Sequence, residues 1–504
     1  MKLYYVTNNT AAAVAIDDIP VVDYVELYND LKERMSDSRY HVGHYFATEI
    51  EEGLRFYLIL LDDESGEVLI SSFIPDYYAE GLASLTALHA AFHPFEREMH
   101  ELYGIPFDNH PWLKPLRFSH DRRNRESTME SYPFYTMEGD ELHEVNVGPI
   151  HAGIIEPGAF RFICNGEQVL HLEIALGYQH RGVEHEMVRN TSGLRQTLLA
   201  ESIAGDTAVG HATAYAEVVE KLANCSIDDD LKLERMIAIE LERIAMHLAD
   251  TGALATDIGF QLYQVVCEAL RTVTINTSQA WCGNRFGKSV IRPLGTNHPL
   301  TEAKIEMIRK NIADVRRRYD EVRQDILEAQ TLLARFEQCG LVPTAEMTRI
   351  GGVGMAARAS GLKRDLRATH PSGYYATSFH HRPIIRHEGD VMSRLAVRMD
   401  EVLQSADYIE QALATYKPSG ELPAPRYDAE LCPNALSFSL VEGWRGEICH
   451  VALTNEKGEI VRYKVKDPSV HNWLGLAIAV RSEGISDFPI NNKSFNLSYC
   501  GHDL

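Results

Sequence analysis

Residues 176–187 (LGYQHRGVEHEM) bring histidine, arginine and glutamate side chains together in one short stretch. If the stretch is helical, His180 and Glu184 lie one turn apart with Arg181 beside them, a spacing that suits proton transfer or metal binding. A solvated helix end held by ion pairs is the alternative interpretation. The stretch is therefore a candidate for acid–base chemistry.

Three other segments carry residues that could bind a ligand, and each has a simpler interpretation. In residues 241–250 (LERIAMHLAD), Arg243 and His247 lie four positions apart beside an apolar stripe, which favours a hydrogen-bonded core histidine. Residues 379–390 (FHHRPIIRHEGD) lack the carboxylate–histidine spacing of a zinc enzyme, so we predict a polar loop, with a metal site as the alternative. Residues 349–361 (RIGGVGMAARASG) lack the buried strand and the lysine of a phosphate loop, which predicts a tight loop near a pocket.

The eight cysteines are scattered, and none forms a Cys-x-x-Cys pair. They predict free thiols in a reducing cytoplasm and no cysteine-rich metal site. Cys500 and His502 together offer only two donors, which makes a weak metal site.

Residues 198–215 (LLAESIAGDTAVGHATAY) read as buried helix, yet positions 204–208 carry only small side chains and one acid. Such small residues predict either the close approach of a neighbouring helix or open space at this point.

The formal net charge of −23 argues against binding to nucleic acid or to anionic lipid headgroups. No run of about 20 apolar residues is present, so we expect no direct transmembrane segment. The first residues (MKLYYVTNNTAAAVAIDD) lack a basic region followed by an apolar run and predict no secretory signal.

The elements that must position these groups predict an α+β protein in two parts. Residues 1–118 read as a small α+β domain: the β-rich runs 55–62 and 67–74 form a hairpin, and a helical period follows over 80–103. The polar, non-periodic residues 119–145 are predicted to be a linker.

Residues 146–504 read as a large, mainly α-helical domain with small β elements. Helical periods are predicted over 195–223, 230–250, 259–280, 301–338 and 391–415, and strands return within 436–481. The apolar seam of 301–338 predicts one straight helix of roughly 50 Å. Packing along other helices of a bundle is favoured for it, with a coiled-coil dimer as the alternative.

Two blocks of sequence resemble subunits of respiratory complex I. Residues 93–118 (HPFEREMHELYGIPFDNHPWLKPLRF) resemble the signature of its 30-kDa subunit. From 146 onward the chain resembles the 49-kDa subunit and the related large subunit of group 4 membrane-bound nickel–iron hydrogenases. The matching motifs follow in order: NVGPIHAGIIEPGAFRF (146–162), GYQHRGVE (177–184), AYAEVVEKL (214–222), ELERIAMHL (240–248), GNRF (283–286), PSGYY (371–375), GDVMSRLAVRMDEV (389–402), GWRGEICHVAL and YKVKDPS (within 443–469). The resemblance thus identifies 1–118 as a 30-kDa-like domain and 146–504 as a 49-kDa-like domain with a hydrogenase large-subunit fold.

In the hydrogenase relatives, the resemblance implies a pocket where four cysteines hold nickel and iron, because soft thiolates are needed to bridge these metals. The first cysteine pair corresponds to Ala204 and Thr207, and the second corresponds to Ser498 and Gly501. Cys500 is one position off. The resemblance therefore predicts a pocket without metal ligands and no metal or cofactor bound by this chain.

In the complex I relatives, the resemblance implies a quinone gripped by a tyrosine and a histidine. The tyrosine position corresponds to Gly205, and the histidine position to Pro157, with His151 nearby. Together with His211, these residues form the candidate pocket for quinone or another substrate.

Acid–base residues remain around this pocket. His180, Arg181 and Glu184 match the HRGxE motif of the relatives, and Glu184 corresponds to a proton-relay glutamate of the hydrogenases. Asp206 adds a carboxylate whose ionised form burial would disfavour. These four residues are the predicted catalytic set.

The resemblance implies an oxidoreductase subunit in the peripheral arm of a complex I-like, hydrogenase-related membrane assembly. Its expected partners are a small iron–sulfur subunit, which carries the iron–sulfur cluster, and antiporter-like membrane subunits. The chain would lie peripherally on the cytoplasmic side of the inner membrane and couple electron transfer to proton or ion translocation without a nickel–iron centre of its own. Two alternatives stay open: a quinone reductase with a non-standard pocket, or a redox-silent structural or coupling scaffold of the same complex.

Overall fold

The N-terminal part of the protein is built on a sheet that carries two helices. The computed structural model describes residues 1–75, 80–123, 125, 128–377, 379–417 and 422–504. The elements of the N-terminal part are β1 (Tyr4–Thr7), β2 (Val14–Ala15), α1 (Tyr24–Arg34), β3 (Tyr40–Ile50), β4 (Gly53–Asp62), β5 (Glu67–Phe73), β6 (Leu82–Ala83), α2 (His93–Tyr103) and β7 (Phe107–Asp108). Four strands form an antiparallel sheet in the order β1-β5-β4-β3, which confirms the predicted hairpin as β4 and β5.

The predicted helical period over 80–103 is only partly correct, because helix α2 begins at His93. The preceding residues are held in an irregular path by the buried Glu96 carboxylate. It accepts hydrogen bonds from the backbone N–H of Leu85 at 2.7 Å and of Thr86 at 3.1 Å. These N–H groups are therefore not available for a helix.

The remaining chain is mainly helical and contains two further sheets. Its elements are β8 (Leu142–Val147), β9 (Ala159–Asn165), β10 (Gln168–Ala175), α3 (Val183–Arg189), α4 (Gly193–Ala200), α5 (Ala208–Leu222), α6 (Asp229–Asp257), α7 (Gln261–Cys282), α8 (Glu302–Glu328), α9 (Gln330–Phe336), α10 (Thr344–Arg349), α11 (Gly354–Ala359), α12 (Leu366–Thr369), α13 (Val391–Thr415), β11 (Ala435–Glu442), β12 (Glu447–Thr454), β13 (Ile460–Lys466), α14 (Ser469–Ala479), α15 (Phe488–Phe495) and α16 (Tyr499–Asp503). This confirms the predicted α+β class with a large helical part. Among the described helices, none is both long and apolar enough to cross a membrane.

Two of the predicted helices are interrupted. The prediction over 195–223 divides into α4 and α5, because the buried Glu201 pairs with Arg292 at 2.7 Å and anchors a loop between them. The prediction over 301–338 divides into α8 and α9 at Ala329, whose ψ of 92° lies outside the helical region. On α9, which follows the bend, Leu332 and Phe336 are buried.

The apolar seam of α8 faces the interior of a helix bundle. Ile305, Ile308, Ile312, Val315 and Tyr319 are all buried on this seam. Helix α8 packs against α7 and α13 of the same chain. Packing within a bundle, the favoured interpretation, is therefore what the structure shows.

The N-terminal and large parts share a sheet and a hydrophobic core. Strand β2 pairs with β11 in the sheet order β13-β12-β11-β2. Val14, Ile59 and Ile70 pack in one cluster with Leu436 and Phe438. The predicted domain boundaries at 118 and 146 stay a prediction. The residues on either side of them form parts that pack together.

The predicted linker 119–145 is largely packed rather than free. Its last residues, from Leu142, belong to β8. Tyr132 is buried against Phe118, and its hydroxyl donates to the Glu173 carboxylate at 3.3 Å. Residues 124, 126 and 127 of this segment lie outside the described residues.

A network of buried ion pairs ties α6, α13 and β11 together. Arg358 lies 2.7 Å from both Glu401 on α13 and Glu442 on β11. His247 of α6 shares Glu401 at 2.8 Å, which confirms the prediction of a hydrogen-bonded core histidine. His381, from the predicted polar loop, is also buried and pairs with Asp365 at 2.8 Å. Each buried charge in this network has a partner, as burial demands.

The α8 seam yields a test of the bundle. Replacing the fully buried Ile308 by alanine leaves a cavity, and we expect it to lower the free energy of unfolding by about 2–5 kcal/mol. Lys310→Ala, at an exposed position of the same helix, is the matched control and is expected to change it by less than about 0.5 kcal/mol. Urea unfolding followed by circular dichroism measures both. Equal stability of the two variants would contradict the assignment of Ile308 to the core.

Candidate functional site

Arg445 joins the loop between α4 and α5 to the C-terminal segment. Its guanidinium makes a bidentate ion pair with Asp206, with both N–O distances at 2.7 Å, and its Nε donates to the Asn496 carbonyl at 2.5 Å. The turn between β11 and β12, closed by a hydrogen bond from Gly443 N–H to the Gly446 carbonyl, aims Arg445 at this point. Trp444 donates its indole N–H to the Asp206 carbonyl at 2.9 Å. The two segments predicted to hold lost metal ligands therefore meet.

Arg181 makes a second bridge between the same two segments. It donates to the carbonyls of Ser202 at 2.6 Å and Ile203 at 2.8 Å, and to that of Cys500 at 3.1 Å. Its donors are thus occupied by backbone carbonyls. This geometry gives Arg181 a positioning role, and its catalytic role stays a prediction.

The four positions predicted to correspond to hydrogenase cysteines are closely packed. Ala204 is fully buried, and the Thr207 hydroxyl accepts from Trp444 Nε1 at 3.1 Å. Ser498 caps α16 by accepting the Gly501 N–H at 2.9 Å. A Cβ atom on Gly501 would lie only 2.6 Å from Oδ2 of Asp467, so this carboxylate fills the space beside Gly501.

This donor set does not fit a nickel–iron centre, because its side chains provide no thiolate. Burial raises the pKa of the neighbouring Cys500 thiol to about 12, so it too stays protonated. Within the described ranges, no group of three or more histidine, cysteine, aspartate or glutamate side chains is arranged to hold a metal ion.

Of the candidate quinone residues, His151 and Pro157 lie on the loop between β8 and β9, and Gly205 lies in the loop between α4 and α5. His151 donates from Nε2 to the Gly158 carbonyl at 2.9 Å and holds its own loop, which includes Pro157. The adjacent Glu156 lies close enough to Cys500 to hydrogen-bond its thiol. At Gly205, a Cβ would meet no atom within 4 Å, so open space lies beside this residue.

A chain of buried hydrogen bonds runs from Asp467 to Tyr463. Oδ2 of Asp467 lies 3.1 Å from His211 Nε2, and His211 Nδ1 lies 3.0 Å from His450 Nε2. His450 Nδ1 lies 2.8 Å from the Tyr463 hydroxyl. All four side chains are almost fully buried. We call this chain the relay.

One assignment of protons satisfies every bond of the relay when both histidines are neutral. The Asp467 carboxylate can only accept, so His211 donates from Nε2 and accepts at Nδ1. His450 then donates from Nε2, and Tyr463 donates its O–H to His450 Nδ1. Every donor points toward Asp467, which is the arrangement that conducts a proton from Tyr463 inward.

The environment fixes the charges within the relay. Burial, together with the neighbouring His211, lowers the pKa of His450 well below 6.5. Burial alone would raise the pKa of Asp467, but the hydrogen bond from His211 lowers it below its usual value. Asp467 therefore stays ionised and holds a delivered proton only weakly.

One carboxyl group beside the α4–α5 loop, that of Glu242, retains its proton near neutral pH. Glu242, on α6, accepts the N–H groups of Val209 at 2.8 Å and Gly210 at 3.1 Å and so caps α5. Burial raises the pKa of Glu242 to about 8, and the Asp206 charge adds to the rise. Asp206 itself pairs with Arg445 and has a side chain 35% exposed, so it is less buried than the sequence suggested.

His180 and Glu184 do not lie on one helix, so the one-turn spacing considered for a helical stretch is not formed. Helix α3 begins at Val183, after Gly182 with φ of 68°, and His180 precedes it in a turn. His180 donates from Nδ1 to the Asp503 carbonyl at 2.8 Å. Burial lowers the pKa of His180, so the ring is neutral at physiological pH.

His180 and Glu184 nevertheless line a common polar cleft of about 550 Å³, and Tyr463 of the relay lines it too. Glu184 pairs with Lys464 at 2.6 Å, and Lys464 also pairs with Glu98 at 2.8 Å. The outer end of the relay therefore reaches a cleft lined by acid–base side chains.

Sequence reasoning missed Arg445, His450, Asp467 and Glu242. All four lie in the motifs GWRGEICHVAL, YKVKDPS and ELERIAMHL, which carried the resemblance. Their position in these motifs was the one sequence feature that could have marked them as site residues. Their partners could not be read from it, because the relay joins residues up to 256 positions apart.

His450 of the relay yields a prediction for the pH dependence of stability. A histidine that is neutral when folded takes up a proton on unfolding, so the free energy of unfolding falls as the pH drops below 6.5. Each such histidine contributes a slope of up to about 1.4 kcal/mol per pH unit. His450→Gln is expected to remove one such contribution, and His380→Gln, at an exposed position, is expected to remove none. Urea unfolding at several pH values measures the slopes, and an unchanged slope in His450→Gln would contradict the buried neutral state.

Comparison with known proteins supports the resemblance. The family model of the respiratory-chain NADH dehydrogenase 49 Kd subunit matches residues 257–434, and that of the 30 Kd subunit matches residues 16–134. Formate hydrogenlyase subunit 5 of Escherichia coli is 26% identical over 91% of this chain and 81% of its own length. Membrane-bound hydrogenase subunit alpha of Pyrococcus furiosus is 28% identical over 69% of this chain and 84% of its own. NADH-quinone oxidoreductase subunit 4 of Thermus thermophilus is 27% identical over 69% and 90%.

A solved structure shares the fold. A chain of the membrane-bound sulfane sulfur reductase, an archaeal respiratory membrane complex, superposes with a TM-score of 0.67 at 19% identity. The match covers 73% of this chain and 100% of the other. The chain thus joins the 30 Kd and 49 Kd subunit domains of the respiratory-chain NADH dehydrogenase in one polypeptide, and its homologues are subunits of membrane-bound hydrogenases and of NADH-quinone oxidoreductases.

Proposed function

We propose that the chain is the peripheral-arm large subunit of a membrane-bound oxidoreductase complex. In it, the chain couples electron transfer from an iron–sulfur subunit to proton or ion translocation by antiporter-like membrane subunits. It does so on the cytoplasmic side and without a nickel–iron centre of its own. The relatives support the assembly, and the donor set at Ala204, Thr207, Ser498 and Gly501 supports the absence of the metal centre.

An exposed apolar loop beside the site supports docking of the iron–sulfur subunit there. Ile150 is 81% exposed and Ile154 is 87% exposed, on the loop that reaches Cys500 through Glu156. Large exposed apolar side chains in one place mark an interface with another protein. A cluster held by the partner on this face would lie next to the Arg445–Asp206 pair.

The relay is the observation that carries the proposal. One proton passes from Tyr463 Oη to His450 Nδ1, one from His450 Nε2 to His211 Nδ1, and one from His211 Nε2 to Asp467 Oδ2. A proton taken up from the cleft restores the tyrosine, so the net result is one proton moved inward. Asp467 holds that proton only weakly, which makes it the donor to a reduced substrate at this site.

Electron transfer and proton binding are coupled by charge. An electron that arrives near the site adds negative charge, which raises the proton affinity of nearby carboxyl groups. Glu242, with a pKa of about 8, is ionised at mildly alkaline pH and would bind a proton there when the electron arrives. His180 and Glu184 would exchange protons between the cleft and the surroundings.

Breaking the outer end of the relay tests the proposal. Tyr463→Phe removes the O–H donor but keeps the ring, and we expect the rate of proton uptake to fall at least about tenfold when the purified complex is reduced. Tyr215→Phe is the matched control, because Tyr215 is a neighbouring buried tyrosine that bonds Gln196 instead of the relay. Reduced methyl viologen and a pH-indicator dye measure uptake by stopped flow. Equal rates in the two variants would contradict conduction through the relay.

Metal analysis tests the absence of a nickel–iron centre. The purified complex is expected to contain iron and acid-labile sulfide from the partner subunit, and nickel far below one atom per complex. Inductively coupled plasma mass spectrometry measures both metals. Stoichiometric nickel would overturn the assignment.

Reduction of a quinone at this site is the second candidate, and the open space at Gly205 favours it. Gly205→Trp would add bulk in that space, where a Cβ meets no atom within 4 Å. We expect this variant to assemble normally and, if a quinone binds here, to lose reduction of a short-chain quinone analogue. Full activity of Gly205→Trp would remove this candidate.

A further inference from the structure

A separate groove of about 580 Å³ lies between the sheet of β8–β10, helix α14 and the segment that follows α2. Leu172 and Ile174 of β10, Trp473 and Leu474 of α14, and Trp112 form its apolar walls. Its volume lies within the roughly 300–1,000 Å³ of sites for small molecules. None of the predicted site residues lines it.

One part of the groove is rich in cations. Lys114, Arg97 and Arg481 all line it, and the charges of Arg481 and Lys114 help to lower the pKa of His171, after the larger effect of burial. Among the described residues, neither Arg97 nor Arg481 forms an ion pair with a carboxylate. A cationic groove in a chain of net charge −23 is a local exception that calls for an anionic partner.

The single carboxylate among the groove-lining residues is already in use. Glu173 accepts from Lys114 Nζ at 2.6 Å, from Trp112 Nε1 at 3.2 Å and from the Tyr135 N–H at 2.5 Å. Its charge is therefore shared with Lys114. Arg97 donates to the backbone carbonyls of Lys114 and Pro115, so that, among the described residues, neither arginine has a carboxylate partner.

A buried histidine in the groove also lacks a partner. His93 is 5% exposed and stacks on Trp112 with ring centroids 5.1 Å apart. Neither of its ring nitrogens makes a hydrogen bond to the protein. Buried polar groups are almost always hydrogen-bonded, so His93 offers a donor and an acceptor to a bound molecule.

We propose that this groove binds an amphipathic anion, with a carboxylate or phosphate head near Arg481 and Lys114 and an apolar chain between Trp112 and Trp473. A small hydrophilic anion would leave the apolar walls uncovered, so it is a poorer ligand. A neutral or cationic amphiphile would leave the two arginines without a negatively charged partner. Free fatty carboxylates and anionic lipids share this chemistry. The inference does not rest on the proposed redox function.

Binding to the purified full chain tests the proposal, with decanoate and decyl phosphate as probes and decanol as the neutral control of equal chain length. Both anions are expected to bind saturably below their micelle concentrations, detected by calorimetry and by a change in tryptophan fluorescence. Decanol is expected to bind at least about tenfold more weakly. Equal binding of decanol and the anions, or no saturable binding of either anion, would overturn the proposal.

Two variants locate the site. Arg481→Gln, at an exposed position, is expected to weaken decanoate binding about tenfold or more, whereas Arg195→Gln, an exposed arginine that does not line the groove, is expected to leave it unchanged. Ala477→Trp fills the groove and is expected to abolish binding. Unchanged affinity in both Arg481→Gln and Ala477→Trp would overturn the proposal.

An experiment with lipid vesicles distinguishes the two sources of the anion, a lipid headgroup and a free amphiphile. Co-sedimentation with phosphatidylglycerol vesicles that is lost in Arg481→Gln would identify a lipid headgroup. Saturable binding of decanoate without co-sedimentation would identify a free amphiphile. Either result supports the proposed ligand chemistry.

Discussion

The burial of carboxyl groups at the junction of the α4–α5 loop and the C-terminal segment is the constraint on which the site depends. A buried carboxylate must find a charged or hydrogen-bonding partner, or else keep its proton. Asp467 takes the first course, because His211 donates to it and the N–H of Ser469 binds its other oxygen at 2.8 Å. Glu242 takes the second, because burial disfavours its ionised form by more than the two backbone N–H bonds and Arg243 favour it, and the Asp206 charge adds to the effect.

As a result, the pKa values of the two carboxyl groups are shifted in opposite directions within one site. The pKa of Asp467 is lowered and that of Glu242 is raised to about 8. Two carboxyl groups whose environments separate their pKa values are typical of sites that move protons. The partner of Asp467 then sets the rest of the relay, since the tautomer of His211 fixes that of His450 and the donor role of Tyr463.

Guanidinium groups hold this site together. Arg445 and Arg181 each bind both the loop and the C-terminal segment, the two segments that in hydrogenase relatives are expected to share metal ligands. A planar fork with several fixed donors suits this bridging, because it satisfies carboxylate and carbonyl oxygens at once. On the proposed function, the same convergence of segments is thus kept without a metal.

Local patterns predicted much of the fold, and long-range pairing explains what they missed. Alternating strands and the apolar seam of α8 follow from side-chain periodicity, which is local. The interruption at Glu201 follows from a buried carboxylate whose partner, Arg292, lies far along the chain. The interruption before α2 follows from the buried Glu96 carboxylate, which binds backbone N–H groups and so competes with helix formation. For the site, the sequence indicated where two segments should meet, yet the partner of Asp206 is 239 positions away. The shift of the proton-holding role to Glu242 depends on burial, which only the folded structure defines.

The pH dependence of the partner cluster's midpoint potential is the most direct test of redox-coupled proton binding at this site. Redox titration followed by electron paramagnetic resonance would compare the purified complex with its Glu242→Gln variant across neutral and mildly alkaline pH. Above about pH 8, where Glu242 is ionised before reduction, the account predicts a potential that falls with pH in the native complex, by up to about 59 mV per unit for one proton per electron, and a flat profile in the variant. The same pH slope in both proteins would contradict it.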